Sequence, residues 1–210
     1  MSGVLAIWND CARGRGAAYE EWYQQEHLAE RLAVNGFVVG RRYEAIDAAR
    51  QFLTTYEVET PAVLHSAAYR ERLANPAERT ARIMRDGLVN MRRTMCKRHA
   101  IRGDCRDGIA LTVALNQPEP MARLQRVVGR WHLSSELAHS EIWIAAERED
   151  APSAEEKLRG ADAKISGCLV LEFLRRDAAL RCSEKVRRDV FEADVGVYQL
   201  MCALRGEDRC

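Results

Sequence analysis

The sequence predicts an α+β fold in which one order of elements, βαββαβ, runs twice along 210 residues. Short apolar runs alternate with helical patterns in the same order on either side of a charged, glycine-containing stretch, Arg102-Gly103-Asp104-Cys105-Arg106-Asp107-Gly108. The runs Ile109–Leu115 and Cys168–Phe173 are apolar at successive positions, so both faces of those strands need cover. The chain is also long enough, at 47% hydrophobic residues, to bury a sizeable core.

Gly3–Trp8 reads as an apolar strand, followed by a turn through Asn9-Asp10 and Gly14/Gly16 and a helix from about Ala17 to Ala33. Gly36 precedes the strand Phe37–Tyr43, and Gln51–Glu59 makes the next. Pro61 suits the first turn of a helix reaching about Leu73, and Pro76 starts a further helical piece. Leu88–Arg98 closes the first half as a strand. In the second half Ile109–Leu115 is a strand, Pro118/Pro120 lead a helix to about Val128, and Glu141–Ala146 is a strand. A polar connector leads to the strand Gly167–Leu174, the helix Asp177–Phe191 and the strand Val195–Leu204.

A split βαβ unit of this kind is ferredoxin-like and leaves one sheet face uncovered. Packing the bare faces of two repeats together solves that within one chain. The expectation is a pseudo-dimeric α+β barrel built from residues 1–102 and 103–210, monomeric or further paired as a homodimer.

Charge is balanced, with 32 basic against 31 acidic residues interspersed, which gives no electrostatic footprint for nucleic acid or a membrane surface. No run approaches the ~18–20 apolar residues of a membrane span, and the N-terminus lacks the basic start of a signal peptide. Seven scattered cysteines without C-x-x-C spacing argue against zinc and against a disulfide framework, and suit a reducing cytoplasm. No nucleotide fingerprint, nucleophile elbow or metal-spaced ligand set is present.

The segment Trp22-Tyr23-Gln24-Gln25-Glu26-His27-Leu28-Ala29-Glu30-Arg31 packs aromatics, carboxylates, a histidine and an arginine into under three turns. With Trp8-Asn9-Asp10, Gly36-Phe37 and Arg41-Arg42-Tyr43, it resembles the dimeric α/β-barrel superfamily and, within it, the EthD-like group. The resemblance covers roughly residues 3–98. It implies a small-molecule enzyme with His27 as a pocket residue. The second half is similar in element order alone, and its first helix, Met121 to Val128, lacks the glutamates and the histidine. A site is therefore expected in the first half.

On a helical wheel with Ala18 at 0° and about 100° per residue, Trp22, Tyr19 and Tyr23 lie on one side. Glu26 (about 80°) and Glu30 (about 120°) fall in the middle of that aromatic side, and His27 at its edge (about 180°). Leu28 and Leu32 violate the pattern. A buried carboxylate costs several kcal/mol unless paired or protonated, so the two glutamates either pair with Arg41 or Arg42 or carry a raised pKa and work with His27. The expected catalytic set is His27, Glu26 and Glu30. Expected ligand contacts are Tyr19, Trp22, Tyr23, Arg41, Tyr43, Tyr56 and Trp8, although aromatic stripes also serve as plain core.

The expected function is a small-molecule enzyme acting on an apolar, aromatic or polyketide-like metabolite. The reaction is proton transfer (isomerisation, cyclisation or decarboxylation) or monooxygenation. No cofactor and no metal are expected, with haem on His27 the minor alternative. The rival expectation is a non-catalytic small-molecule-binding or stress-associated barrel protein. A pocket of ~300 Å³ or more beside His27 favours the enzyme over that rival.

Overall fold

The computed structural model describes the chain except for residues 107, 118, 132–134, 147–151, 209 and 210. Pro118, the expected lead of one helix, lies outside the described residues. Eight strands close an antiparallel barrel in the order β1-β3-β2-β8-β5-β7-β6-β4. They are β1 (Gly3–Cys11), β2 (Phe37–Asp47), β3 (Phe52–Val58), β4 (Leu88–Arg102), β5 (Ile109–Leu115), β6 (Leu137–Ala145), β7 (Gly167–Phe173) and β8 (Asp194–Arg205). The groups β4-β1-β3-β2 and β8-β5-β7-β6 have the same internal order and join through β2 with β8 and β4 with β6. Closure leaves no sheet edge to protect.

The helices lie outside this barrel. Over the first sheet run α1 (Gly16–Trp22), a π turn (Tyr23–His27) and α2 (Leu28–Leu32) in continuous succession, then α3 (Ala67–Ala74) and α4 (Glu78–Asp86). Over the second lie α5 (Pro120–Trp131) and α7 (Arg176–Asp189). Pro61–His65 forms a 3₁₀ turn rather than the start of one long helix. Ser66 is extended there, and its Oγ accepts from Tyr69 N at 3.2 Å, which starts α3 afresh.

Residues 154–159, expected as polar connector, form α6 (Ala154–Arg159). Ser153-x-x-Glu156 is the spacing of a capping box, and Ser153 Oγ accepts from Glu156 N at 3.2 Å. That spacing was the readable signal for this helix.

Strand alternation sorts the side chains into three layers. Val4, Ala6, Trp8, Tyr43, Cys96, Trp143, Cys168, Val170 and Tyr198 fill the barrel. Leu111, Val113, Leu124, Val127, Leu169, Leu171, Ala179 and Val186 make an aliphatic layer between β5–β7 and their helices. β5 and β7 are buried at every position, as runs apolar on both faces require. The first helix layer differs, with Tyr19, Trp22, Tyr23, Tyr56 and Tyr69 at its centre. Helix and sheet come close there, since a Cβ on Gly40 would meet Leu28 Cδ1 at 2.7 Å. Gly36, at φ +90°, turns the chain from helix to β2 in a conformation that favours glycine.

One mouth of the barrel is charged. Arg41 donates to Glu57 at 2.6 Å, and Arg98 donates to Glu57 at 2.8 Å and to Glu141 at 2.6 Å. Arg106 enters from the connection between the halves and holds Glu57, Glu141 and Glu172. Burial raises the Glu141 pKa, but the His139 ring 3.9 Å away and the Arg98 and Arg106 guanidiniums, with the hydrogen bond from Arg98, outweigh it and hold the carboxyl at about 2. Each carboxylate of this network has an arginine, so the two halves are tied by matched charge.

Candidate functional site

The site begins with an irregularity in the first helix. Leu28 N–H bonds to Tyr23 O, five residues back, so the turn Tyr23–His27 holds one residue more than an α turn. From the last residue of that turn onward, each residue falls back by about 100° and takes the angular place its predecessor would hold in an unbroken helix. His27 therefore sits where the wheel puts Glu26, and Arg31 where it puts Glu30. Both are buried, at 3% and 2% exposure. Leu28 and Leu32 also turn inward, which resolves the pattern violation in the sequence.

The expectation that Glu26 and Glu30 face inward is thereby corrected. Glu26 is half-buried and pairs with Arg79 at 2.7 Å, and Glu30 is half-buried on the same outward side. Neither meets Arg41 or Arg42. Arg42 instead holds Glu20 through both terminal nitrogens, at 2.9 and 3.1 Å, with its guanidinium 4.0 Å from the Tyr23 ring.

The ligand contacts expected from sequence divide across the sheet. Tyr19, Trp22, Tyr23 and Tyr56 are on the helix side with His27. Trp8, Tyr43 and Arg41 are inside the barrel, where Trp8 packs on Trp143 at 6.3 Å. The sheet separates the two groups, so they cannot contact one bound molecule together.

His27 borders a narrow, partly enclosed space lined by Tyr23, Arg31, Tyr56, Tyr69, Arg93, Glu155 and Arg159 among apolar side chains of β1, α4 and β4. Its volume is about 20 Å³, room for about one water. That is far short of the ~300 Å³ expected of an enzyme pocket, so the size criterion set out from the sequence is not met. Trp22 stacks on the imidazole at 4.0 Å, and Tyr23 meets it edge-on at 5.2 Å. Trp22 is fixed in turn by its indole N–H donating to Thr80 Oγ1 at 2.9 Å. Arg93 donates to Tyr69 Oη at 2.9 Å.

Three polar atoms around this space are buried without a hydrogen-bond partner: His27 Nδ1, Arg31 Nη1 and Tyr56 Oη. A buried unmade hydrogen bond costs about 1–3 kcal/mol, so three in one place call for a reason. Burial, reinforced by Arg31, Arg159 and Arg42, holds the His27 pKa well below its ordinary value, and the ring is neutral near pH 7. Burial pushes the Tyr56 phenol well up, so it remains a donor. The set thus offers a neutral proton acceptor, a fixed cation and a hydroxyl donor.

Arg31, Glu155 and Arg159 were not among the residues expected from sequence. The Leu28/Leu32 violation pointed to the register shift that brings Arg31 in, and the Ser153 cap to the helix that brings the other two. Roomier concavities exist but are open. One of about 340 Å³ is bordered by Cys11, Arg13, Glu44, Gln51 and Phe52. Burial and Glu20 raise the Cys11 pKa, which leaves it a thiol there.

No family model matches the chain, and no curated protein matches it. Solved structures do share the fold. An anthrone oxidase-like protein superposes with a TM-score of 0.68 at 10% identity, covering 100% of this chain and 94% of the other. A candidate monooxygenase from Fusobacterium nucleatum gives 0.58 at 9%, covering 97% and 94%. A candidate chlorite dismutase gives 0.55 at 11%, covering 96% and 95%.

The expectation of no cofactor is corrected by this comparison, because chlorite dismutase-like neighbours are haem proteins and haem is a group the fold can hold. The space beside His27 does not fit it as built, since about 20 Å³ under a stacked Trp22 admits no porphyrin. Among the described residues no helix is long and apolar enough to cross a membrane. The likeness is one of fold, the α+β architecture that the chain shares with these structures.

Proposed function

We propose that the chain is a small-molecule enzyme of EthD-like type, two ferredoxin-like repeats fused at residues 102/103, acting in a reducing cytoplasm. Its site is the narrow space at His27 in the first repeat, and the second repeat takes the place of a partner subunit. The substrate is an apolar, aromatic or polyketide-like metabolite with an acidic C–H or phenolic O–H. The observation that carries the reading is that three residues lining one narrow space each hold a buried, unpartnered polar atom of different chemistry.

In this reading His27 Nδ1 takes the substrate proton. The resulting enolate or phenolate is stabilised by the Arg31 guanidinium and the Tyr56 hydroxyl, a preorganised charge in a dry site. The imidazolium is strongly acidic here, for the same reason that the neutral ring is favoured, and so it returns the proton readily. Return to a different carbon gives an isomer. In the second branch the carbanion passes two electrons to O₂, a C–O bond forms, and the returned proton completes a hydroperoxide. The anthrone oxidase-like and monooxygenase neighbours favour this second branch.

The test is O₂ uptake and product formation with a panel of anthrones and phenols. Turnover should fall about 10²–10⁴-fold in His27→Ala. Turnover equal to wild type in that variant excludes the acid/base role. The small volume of the space and the existing Arg31–Glu155 pair favour the second reading, a non-catalytic ligand-binding barrel. Under that reading ligands bind and no substrate turns over.

A further inference from the structure

Arg31 belongs to the first helix, but the carboxylate it holds, Glu155, arrives from α6 in the β6–β7 connection of the other half. Both side chains of the pair are almost fully buried, at 3% and 6% exposure. The pair is one-sided. Arg31 meets Glu155 through Nη2, while Nη1 is buried with no partner. The neighbouring arginines each meet their carboxylate through two nitrogens, Arg42 on Glu20 (its Nε left unpartnered) and Arg159 on Asp162 at 2.9 and 2.7 Å. A guanidinium fork suits two-point recognition of a carboxylate, and Arg31, with one half of its fork unpartnered, lines the same space as His27.

The helix α6 does not depend on Glu155 for its own structure. Ser153 caps it, and Glu156 accepts from Asp162 N at 3.1 Å. A buried ion pair is a poor source of net stability compared with apolar side chains of similar volume. Such apolar packing does hold the helices of the second half on their sheet. The Arg31–Glu155 contact is therefore not what helix packing requires, yet it closes the His27 space on one side.

We propose that Arg31 is the anion-recognition group of the His27 site and that Glu155 is an internal placeholder, which the carboxylate of an aromatic acid replaces. The inference rests on the reading of the His27 space as the site, and it narrows the substrate class to apolar rings bearing a carboxylate. Displacing Glu155 moves α6 outward, and the vacated volume beside Tyr23 and Tyr69 receives the ring.

Calorimetric titration of the full chain with benzoate, and with benzamide as its uncharged counterpart, tests this in wild type, Glu155→Ala and Glu155→Gln. Benzoate should bind Glu155→Ala about tenfold or more tighter than wild type, with Glu155→Gln in between and benzamide changed less than about twofold. Adding Arg31→Met to either variant should remove the gain. Glu155→Gln keeps size and shape, so the test holds even if Glu155→Ala does not melt cooperatively. No gain for benzoate, an equal gain for benzamide, or a gain that survives Arg31→Met overturns the placeholder. His27→Ala separates the two claims. A benzoate gain that persists beside unchanged turnover removes the catalytic reading and leaves the anion subsite standing. Lost turnover with no benzoate gain does the reverse.

Discussion

The two helix layers cover sheets of the same strand order with opposite chemistry. Over β5 and β7 the contact is aliphatic, from Leu111, Leu124, Leu169, Leu171 and Val186. Over β1 and β3 it is built from Tyr23, His27, Arg31, Tyr56 and Tyr69, with three polar atoms left unpartnered. The second layer shows that aliphatic packing is sufficient to seat helices on this sheet. The fold therefore does not demand the polar set of the first layer, and a ligand is the simplest reason for keeping it. The charged mouth of the barrel sharpens the contrast, because Arg98 and Arg106 there match Glu57, Glu141 and Glu172. His139 Nε2 beside Glu141, and Arg92 Nε and Trp143 Nε1 in the barrel, also lack partners, so what sets the first helix layer apart is that three such atoms belong to residues lining one space.

The comparison can be broken most severely at Arg31. Arg31→Met leaves Glu155 buried without its cation and should cost about 3–5 kcal/mol in denaturant unfolding. The double variant Arg31→Met/Glu155→Leu should recover most of that loss, as apolar replacement of a buried pair does. A double variant no more stable than the single one would mean that the pair is needed for packing, and the contrast between the layers would fail.

Leu171→Ala, in the aliphatic layer, should cost about 2–5 kcal/mol by the same measurement. Ligand affinity should be unchanged in that variant at temperatures where it is folded. A change in affinity would show that the second layer also serves the site.

Acid should separate the regions by pH. Glu141 titrates at about 2 in the folded chain against an ordinary 4.5, so its contribution, about 3 kcal/mol, is present above pH 4.5 and lost as pH falls towards 2. His27 is held below its ordinary 6.5, and the unfolded chain takes up its proton first. Stability should thus decline with falling pH already below 6.5, and His27→Leu should remove that early slope while leaving the later one. An unchanged early slope in the variant would assign it to another group.

The succession of strands along the chain and most of the helices were legible because apolar runs and turn residues mark them, whereas α6 lies in a stretch that reads as polar connector. Ile109–Leu115 matches β5 at both ends. The unusual helix was legible in place, but which of its side chains face inward was not. A regular 3.6-residue wheel cannot represent the π turn at Tyr23–His27, so the sequence pointed to Glu26 and Glu30 where the structure puts His27 and Arg31. Two leucines out of phase, Leu28 and Leu32, were the trace of that turn. The Arg31–Glu155 pair joins residues 124 apart in the chain, and no local pattern reports such a contact.

The smallest expected change in stability belongs to His27→Leu, within about 1 kcal/mol of wild type, because an apolar side chain replaces a buried ring nitrogen that lacks a partner. That variant also gives the most direct test of the central claim, that the His27 space is a ligand site. Ligand-induced thermal stabilisation is measured across phenols, lactones, aromatic acids and haem in wild type and His27→Leu. The account predicts that at least one aromatic ligand raises the melting temperature of the wild type, and that this rise disappears in a variant whose unliganded melting temperature is nearly unchanged. Stabilisation of equal size in both proteins would contradict it.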